Sequence, residues 1–434
     1  MKVFKTFSII AFSLSISSVF SQSKTLDECL QMAMKNNPQT RLVELEQKMP
    51  DLKIQELKKF FLPRLTLNGD YKFYYQMPQQ LIPAAAFGGP PGVYNTVTFG
   101  VPHNIGLGLQ ASQMILNKPL SYNIEKVRQS AKLSEVQLIK IKEDLVYNIS
   151  TIYLNAQQLL LQKSFLKENS ENLEQLIKMT QNLKDAQMAK GTDVEQLQLN
   201  KKIIDNQDTQ LEIAYNQLIN TLGFLLNTEE SIRITTFNKE NFKVDTNTTK
   251  SSSASVLLIE EQKKLAQMDL NGYKLELYPT ISAYAQQNYS GFGKTGTDKV
   301  FKIIPTGLVG LQLNFALYDW GLYNVKKNQK MIEFEKFDTQ VEMLQLSQRN
   351  DLKNARLKIK SIQNMILLEQ ENIDLAKKLL EKAKIQLKEG VINVSEVINR
   401  ENVLIQSQSN YSKQFIDLSL AILDYKKANN SLLK

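Results

Sequence analysis

Few of the side chains that do chemistry stand in a productive spacing in this sequence of 434 residues. Its one histidine, His103, lies in a proline-rich stretch, and its one cysteine, Cys29, sits inside a helical pattern, where it reads as a buried small hydrophobe. No Cys/His cluster, phosphate-cradling glycine loop or nucleophile elbow is present. A single cysteine allows no intramolecular disulfide. The expectation is therefore a protein that is not an enzyme and needs no cofactor or metal. The sequence does offer two carboxylate-bearing turns, Gly191-Thr192-Asp193-Val194-Glu195 and Gly390-Val391-Ile392-Asn393-Val394-Ser395-Glu396, with Asn399 just beyond the second. A Thr or Asn followed three residues later by Glu is a capping box, which would use Glu195 on Thr192 and Glu396 on Asn393.

Those turns must be positioned by what flanks them. Leu120 to Lys190 contains neither Gly nor Pro, and the same holds from Leu322 to Glu389. At 1.5 Å per residue each stretch is a helical arm of roughly 100 Å, too long for one compact core. Each arm is expected to end at its glycine, Gly191 or Gly390, and a returning helix follows. The returning segments place apolar residues at every seventh position: Leu197, Ile204, Leu211, Leu218 and Leu225, then Val397, Leu404, Tyr411, Leu418 and Tyr425. That is a coiled-coil signal, so the chain is organised around two long antiparallel helical hairpins. The two turns superpose in two ways. Aligning the heptads needs an offset of 200 and sets Gln196 opposite Glu396; aligning Thr-Asp-Val with Ser-Glu-Val needs 203 and selects Asp193. A slip of three residues stays near one helix face, so both remain open.

Residues 1–21 carry Lys2 and Lys5, an apolar run from Phe7 to Leu14, and small residues around Val19-Phe20-Ser21. This is the order of a secretory signal peptide. No later stretch is apolar enough for a membrane helix. The formal charge of +9 falls to +7 once the signal leaves, and Lys and Arg are interleaved with Glu and Asp along helices. That pattern is a solvated helical face and argues against a nucleic-acid partner.

Thr25-Leu26-Asp27-Glu28 fits a capping box that opens a first helix to about Phe60, bent near Pro38 and Pro50. After Pro63, Leu65, Leu67, Gly69, Tyr71, Phe73 and Tyr75 alternate with Thr66, Asn68, Asp70, Lys72 and Tyr74, a strand with one apolar face. Met77 to Asn104 holds five prolines and is expected to lack regular structure. Alternation resumes at Ile105, Leu107, Leu109 and Ala111. The pattern then repeats: a helix from Leu258 to Gly272, a strand through Ile281, Ala283, Ala285 and Gln287, a loop from Gly291 to Pro305, and a strand from Leu308 to Tyr318. Pro63 maps onto Pro279 and Gly108-Leu109-Gln110 onto Gly310-Leu311-Gln312, in the same order, as a duplication would leave them. The expected organisation is a signal at 1–21 and a first repeat at 22–226, with a β-hairpin at about 63–116 and helical hairpin at about 119–226. A connector at 227–253 leads to a second repeat at 254–434, with a β-hairpin at about 278–318 and a helical hairpin at about 320–430.

Each strand has about ten residues of alternation, the length of a membrane-spanning β-strand. Four strands cannot close a barrel, and an open sheet cannot expose its edges to lipid. Either the sheet is soluble or several chains share one barrel.

The signal, the tandem halves, the proline-initiated strand, Phe315-Ala316-Leu317-Tyr318-Asp319-Trp320-Gly321 and the turn from Gly390 to Asn399 together resemble the TolC family of outer-membrane efflux proteins. The resemblance covers roughly residues 25 to 430. It departs at Ala316, where the family usually has proline, and at Asn117-Lys118-Pro119, where it often has a glycine pair. It implies an α+β membrane protein in two tandem repeats, with long helical hairpins forming a periplasmic α-barrel. Four strands per chain would contribute to a trimeric, twelve-stranded transmembrane β-barrel. It also implies a homotrimer in outer-membrane lipid, coupled to a periplasmic adaptor protein and an inner-membrane transporter of RND or ABC type, with passive export of small molecules as its role. The same duct serves type I protein secretion, which is the alternative; a periplasmic coiled-coil scaffold is the alternative from another class. At the hairpin tips the resemblance implies a selectivity ring of Glu396 and Asn399, joined by Asp193 or Gln196, and an adaptor-docking surface at Gly191, Thr192, Gly390, Val391 and Asn393. Trp320 and Tyr318 would be membrane-interface anchors.

Overall fold

The computed structural model describes residues 23–230, 232–236, 253–294 and 302–433. The expected signal at 1–21 and much of the 227–253 connector lie outside the described residues.

Three helices come first, α1 (Leu26–Asn36), α2 (Pro38–Glu46) and α3 (Met49–Lys59). Thr25 caps α1 through the expected box, its Oγ1 accepting from the Glu28 N–H while the Glu28 carboxylate accepts from the Thr25 N–H. Pro38 and Pro50 fall in the first turns of α2 and α3, where a missing N–H costs no helical bond. Strands β1 (Arg64–Phe73), β2 (Gln79–Pro83), β3 (Tyr94–Thr98) and β4 (His103–Leu116) follow, then α4 (Lys118–Asp185) and α5 (Gly191–Leu226). After α6 (Ala254–Leu275) come β5 (Thr280–Gly293), β6 (Lys302–Asn314), α7 (Leu322–Lys388) and α8 (Val394–Ala428). Among the described residues no helix is long and apolar enough to cross a membrane.

The chain divides into two compact units, and each draws on both halves of the sequence. One comprises Met1–Leu42, Leu138–Ala254 and Gln345–Lys434. It is helical. Its largest apolar cluster joins all four long helices: Leu166, Leu173 and Leu176 of α4, Leu197 and Ile204 of α5, Ile373 and Leu380 of α7, Val397 and Leu404 of α8. The heptad positions of the sequence are thus core positions, each buried side chain contributing about 1.5–3 kcal/mol. A second cluster packs Cys29 and Ala33 of α1 against Ile149, Tyr153 and Leu222, and a third joins Ile359 of α7 to Leu418 and Tyr425 of α8.

The other unit comprises Val43–Gln137 and Ser255–Leu344. It holds an antiparallel sheet in the order β1-β4-β5-β6, so the inner pair joins the first half of the chain to the second. Ion pairs from Asp269 of α6 to Lys126 of α4 (2.5 Å) and Lys330 of α7 (3.4 Å) tie its helices together.

Two expectations are corrected here. The Met77–Asn104 stretch is not irregular: β2 and β3 form a two-stranded hairpin, with a 3₁₀ turn at Ala84–Phe87. The prolines stand before β2, at its last residue, in the turn and before β4, so none removes a bond from mid-ladder. The last strand runs over 302–314 instead of 308–318. It starts inside the expected loop because Pro305 is tolerated on an edge strand, and it stops at Asn314 because its partner β5 begins opposite it, at Thr280.

Candidate functional site

The strand registers sort the sheet's side chains onto two faces. Leu67 pairs with Leu109, Leu109 with Gln287 and Gln287 with Gly307, and the neighbouring rows on that face are Gly69–Leu107–Tyr289–Pro305 and Leu65–Ala111–Ala285–Val309. Apart from Gln287 and Gln113 the face is apolar or aromatic from Tyr71 and Ile105 down to Leu313. The opposite face carries Thr66, Asn68, Asp70, Lys72, Gln110, Gln286, Asn288 and Gln312. On it Lys72 bonds Asp70 at 2.9 Å. A soluble sheet covers its apolar face. Here Leu67 is 67% exposed, Val309 83% and Leu311 73%. Among the described residues β1 and β6 also each have only one partner strand, leaving two open edges.

The hairpin tips are built by two matching turns. At the end of α4 the Met188 N–H donates to the Leu183 carbonyl and Gln187 to Lys184; at the end of α7 Val391 donates to Gln386 and Gly390 to Leu387. These are Schellman closures, with Gln187 (φ +61°) and Gly390 (φ +73°) in the left-handed position. Gly390 ends its arm as expected, whereas Gly191 does not: it is the first residue of α5, and the left-handed turn falls to Gln187.

Beyond the turns, the Asp193 carboxylate accepts from the Lys190 N–H at 3.0 Å, and Asn393 Oδ1 accepts from the Glu396 N–H at 3.0 Å. The expected Thr192–Glu195 box is absent, because the helix starts one residue before Thr192 and Asp193 meets the free N–H first. Asn393 is the cap foreseen, yet the Glu396 carboxylate does not reach back to it; it bonds the Arg400 guanidinium one turn on, at 2.5 Å. Matching left-handed turn to turn and cap to cap gives an offset of 203 and pairs Asp193 with Glu396. Matching the buried stripe (Val194, Leu197 and Ile204 with Val394, Val397 and Leu404) gives 200. Both registers are real, because α5 begins one turn earlier than α8 relative to its buried face. Gln196, Asn399, Gly191, Thr192, Gly390, Val391 and Asn393 are all exposed; Asp193 and Glu396 are half-buried.

No protein-family model matches the sequence, and neither does any curated protein. Solved structures do match. The chain superposes on the outer-membrane channel OprN with a TM-score of 0.71 at 13% identity, over 94% of this chain and 90% of that one. CusC, described in the context of transmembrane channel formation, gives 0.72 at 14% identity over 94% and 93%. The Campylobacter jejuni CmeC outer membrane channel gives 0.72 at 13% identity over 99% and 94%. The chain shares the fold of these outer-membrane channels.

Of the two departures from the pattern of the resemblance, Asn117-Lys118-Pro119 has a structural explanation, and nothing in the structure explains Ala316. Asn117 caps α4, its Oδ1 accepting from the Leu120 N–H at 2.8 Å, and Asp319 does the same for α7 by accepting from Gly321 (3.1 Å) and Tyr323 (3.0 Å). Those N–H donors hold the Asp319 carboxyl below its ordinary pKa. Side-chain capping makes a glycine pair unnecessary in the first half. Trp320, 89% exposed, and Tyr318 stand edge to face with ring centres 4.9 Å apart. His103 is not a loop residue; it opens β4, stacks on Phe73 and bonds Tyr71 through Nδ1 at 2.8 Å. Burial pushes the Cys29 thiol up to about 11, so it packs as a hydrophobe. Among the described residues no three His, Cys, Asp or Glu side chains are placed to hold a metal ion. Sequence reasoning missed Gln187, Arg400 and the buried polar residues Asn169, Thr180, Glu401 and Gln408. The last two occupy the half-heptad positions between Val397, Leu404 and Tyr411, a spacing that hints at burial while their polar side chains read as solvated.

Proposed function

We propose that this chain is one subunit of an outer-membrane duct that passively exports small molecules. Three copies would join β6 of one to β1 of the next and close twelve strands. The observation that carries the reading is the sheet, whose apolar face is bare and whose two edges are open. In water both features would drive aggregation, and in lipid a single open sheet leaves its edge groups unbonded. Closure with further copies resolves both, turning the apolar face to lipid and the polar face to a lumen. The fold shared with OprN, CusC and CmeC supports it.

In this reading the tandem hairpins form the periplasmic tunnel. Asp193 and Glu396 ring its tip, and the exposed turns around Gly191, Thr192, Gly390, Val391 and Asn393 receive an adaptor coupled to an inner-membrane pump. Arg400 neutralises part of the Glu396 charge, so Asp193 carries much of any cation preference. Trp320 and Tyr318 anchor the strand end at the lipid boundary. Drug efflux and type I secretion share the duct and differ in the pump. The test is the mass of the detergent-extracted particle by light scattering, corrected for bound detergent. Three chains are expected; a monomer stable without detergent would return the scaffold reading.

A further inference from the structure

The two helical hairpins meet along a seam between α4 and α8. Asn169 Nδ2 donates to Gln408 Oε1 at 2.7 Å, both side chains buried. From that bond toward the tips, α4 buries Asn169, Leu173, Leu176 and Thr180, and α8 buries Gln408, Leu404, Glu401 and Val397. The steps of four, three and four are identical on both helices, as in an antiparallel coiled-coil edge. Half of these eight positions are polar. Among the described residues six buried side-chain atoms lack a hydrogen-bond partner, and four of them lie here: Asn169 Oδ1, Thr180 Oγ1, Gln408 Nε2 and Glu401 Oε2. The partner helices within each hairpin, α5 and α7, bury no polar side chain. The joint between hairpins is therefore the weak line of the bundle, and Glu401, 3% exposed, is its most costly member.

We propose that Glu401 is a proton-binding latch of this seam: as a neutral acid it lets α4 and α8 close, and as a carboxylate it drives the hairpins apart. Burial pushes its carboxyl up to about 7, against the pull of Lys384 on α7. Lys384 is also bonded to Glu381 at 2.8 Å, so its charge is shared. The α4 side of the seam offers Leu173, Leu176 and Thr180, α5 adds Leu197 and Ile204 to the same core, and on α8 Glu396 and Arg400 satisfy each other at the surface. An acid whose pKa rises on burial keeps the seam fully closed below the ordinary Glu value of 4.5, and that preference is lost as pH climbs through about 7. The full shift is worth roughly a few-hundred-fold in the ratio of closed to parted seams. That the latch gates a duct rests on the proposed function; the protonation itself does not.

The test uses full-length protein in detergent between pH 5 and 8.5. Infrared difference spectra are expected to show a carboxylic-acid band titrating near pH 7 that Glu401→Gln abolishes. Amide exchange in residues 394–411, corrected for its intrinsic pH dependence, is expected to accelerate as pH rises in the wild type and stay flat in Glu401→Gln. Wild-type protein alone suffices to overturn the latch, if no such band titrates above pH 6 or the seam exchanges equally at both ends of the range. In planar bilayers, channels whose conductance ignores pH while the seam titrates would overturn the gating role. No channels at all would overturn the duct reading, leaving the latch to the spectra.

Discussion

Replacing Leu109 with arginine puts a charge at the centre of the bare apolar face. Leu109 lies in the row Leu67–Leu109–Gln287–Gly307, the fourth of seven such rows between Phe73–His103 and Ile281–Leu313. If that face meets lipid, the row sits near mid-bilayer, where an arginine costs about 2–4 kcal/mol per chain. If the sheet is soluble, Leu109 is an exposed residue and its replacement changes stability by no more than about 0.5 kcal/mol. The control is Gln110→Arg, one residue on and on the polar face, where a charge meets water in either case. The assay is urea unfolding of protein reconstituted in lipid vesicles, followed by fluorescence of Trp320, the only tryptophan. Leu109→Arg should lower unfolding free energy by at least about 2 kcal/mol and reduce the inserted fraction, with Gln110→Arg near wild type. Equal, small effects of the two substitutions would refute the lipid-facing assignment.

Glu396→Ala should leave stability within about 0.5 kcal/mol, because the exposed Arg400 pair contributes little, yet raise resting conductance or shift the reversal potential away from cations in a salt gradient. An unchanged conductance and reversal potential would reduce Glu396 to a surface residue. Asp193→Ala removes the Lys190 cap and should cost about 1 kcal/mol in thermal unfolding while weakening cation preference further. Gly390→Ala forces a side chain into φ +73° and should destabilise the second tip by about 1 kcal/mol, seen as faster amide exchange around residue 390; Gln187→Gly should slow exchange at the first tip. Asp319, whose pKa is lowered, stabilises the start of α7 above its ordinary value of 3.8 and loses that effect as pH falls further, so exchange of residues 321–325 should rise in acid and become pH-independent in Asp319→Ala.

What the sequence determined by itself is local. Proline positions set the breaks between α1, α2 and α3; Thr25 and Asn393 set two helix starts; heptads marked the faces that are buried; alternation marked the apolar face of each strand. These follow from interactions within a few residues, where periodicity and capping chemistry act directly. The tertiary structure decided everything that depends on which faces meet. It brought β4 against β5, so that one sheet spans both halves. It split the two tip registers, since a cap answers to the nearest free N–H and a buried stripe to the neighbouring helix. It also set Asn169 against Gln408 and closed apolar helices around Glu401. A carboxylate at a half-heptad position reads in sequence as one more solvated charge. Only the packing of two hairpins, distant along the chain, removes the water that would have kept it ionised.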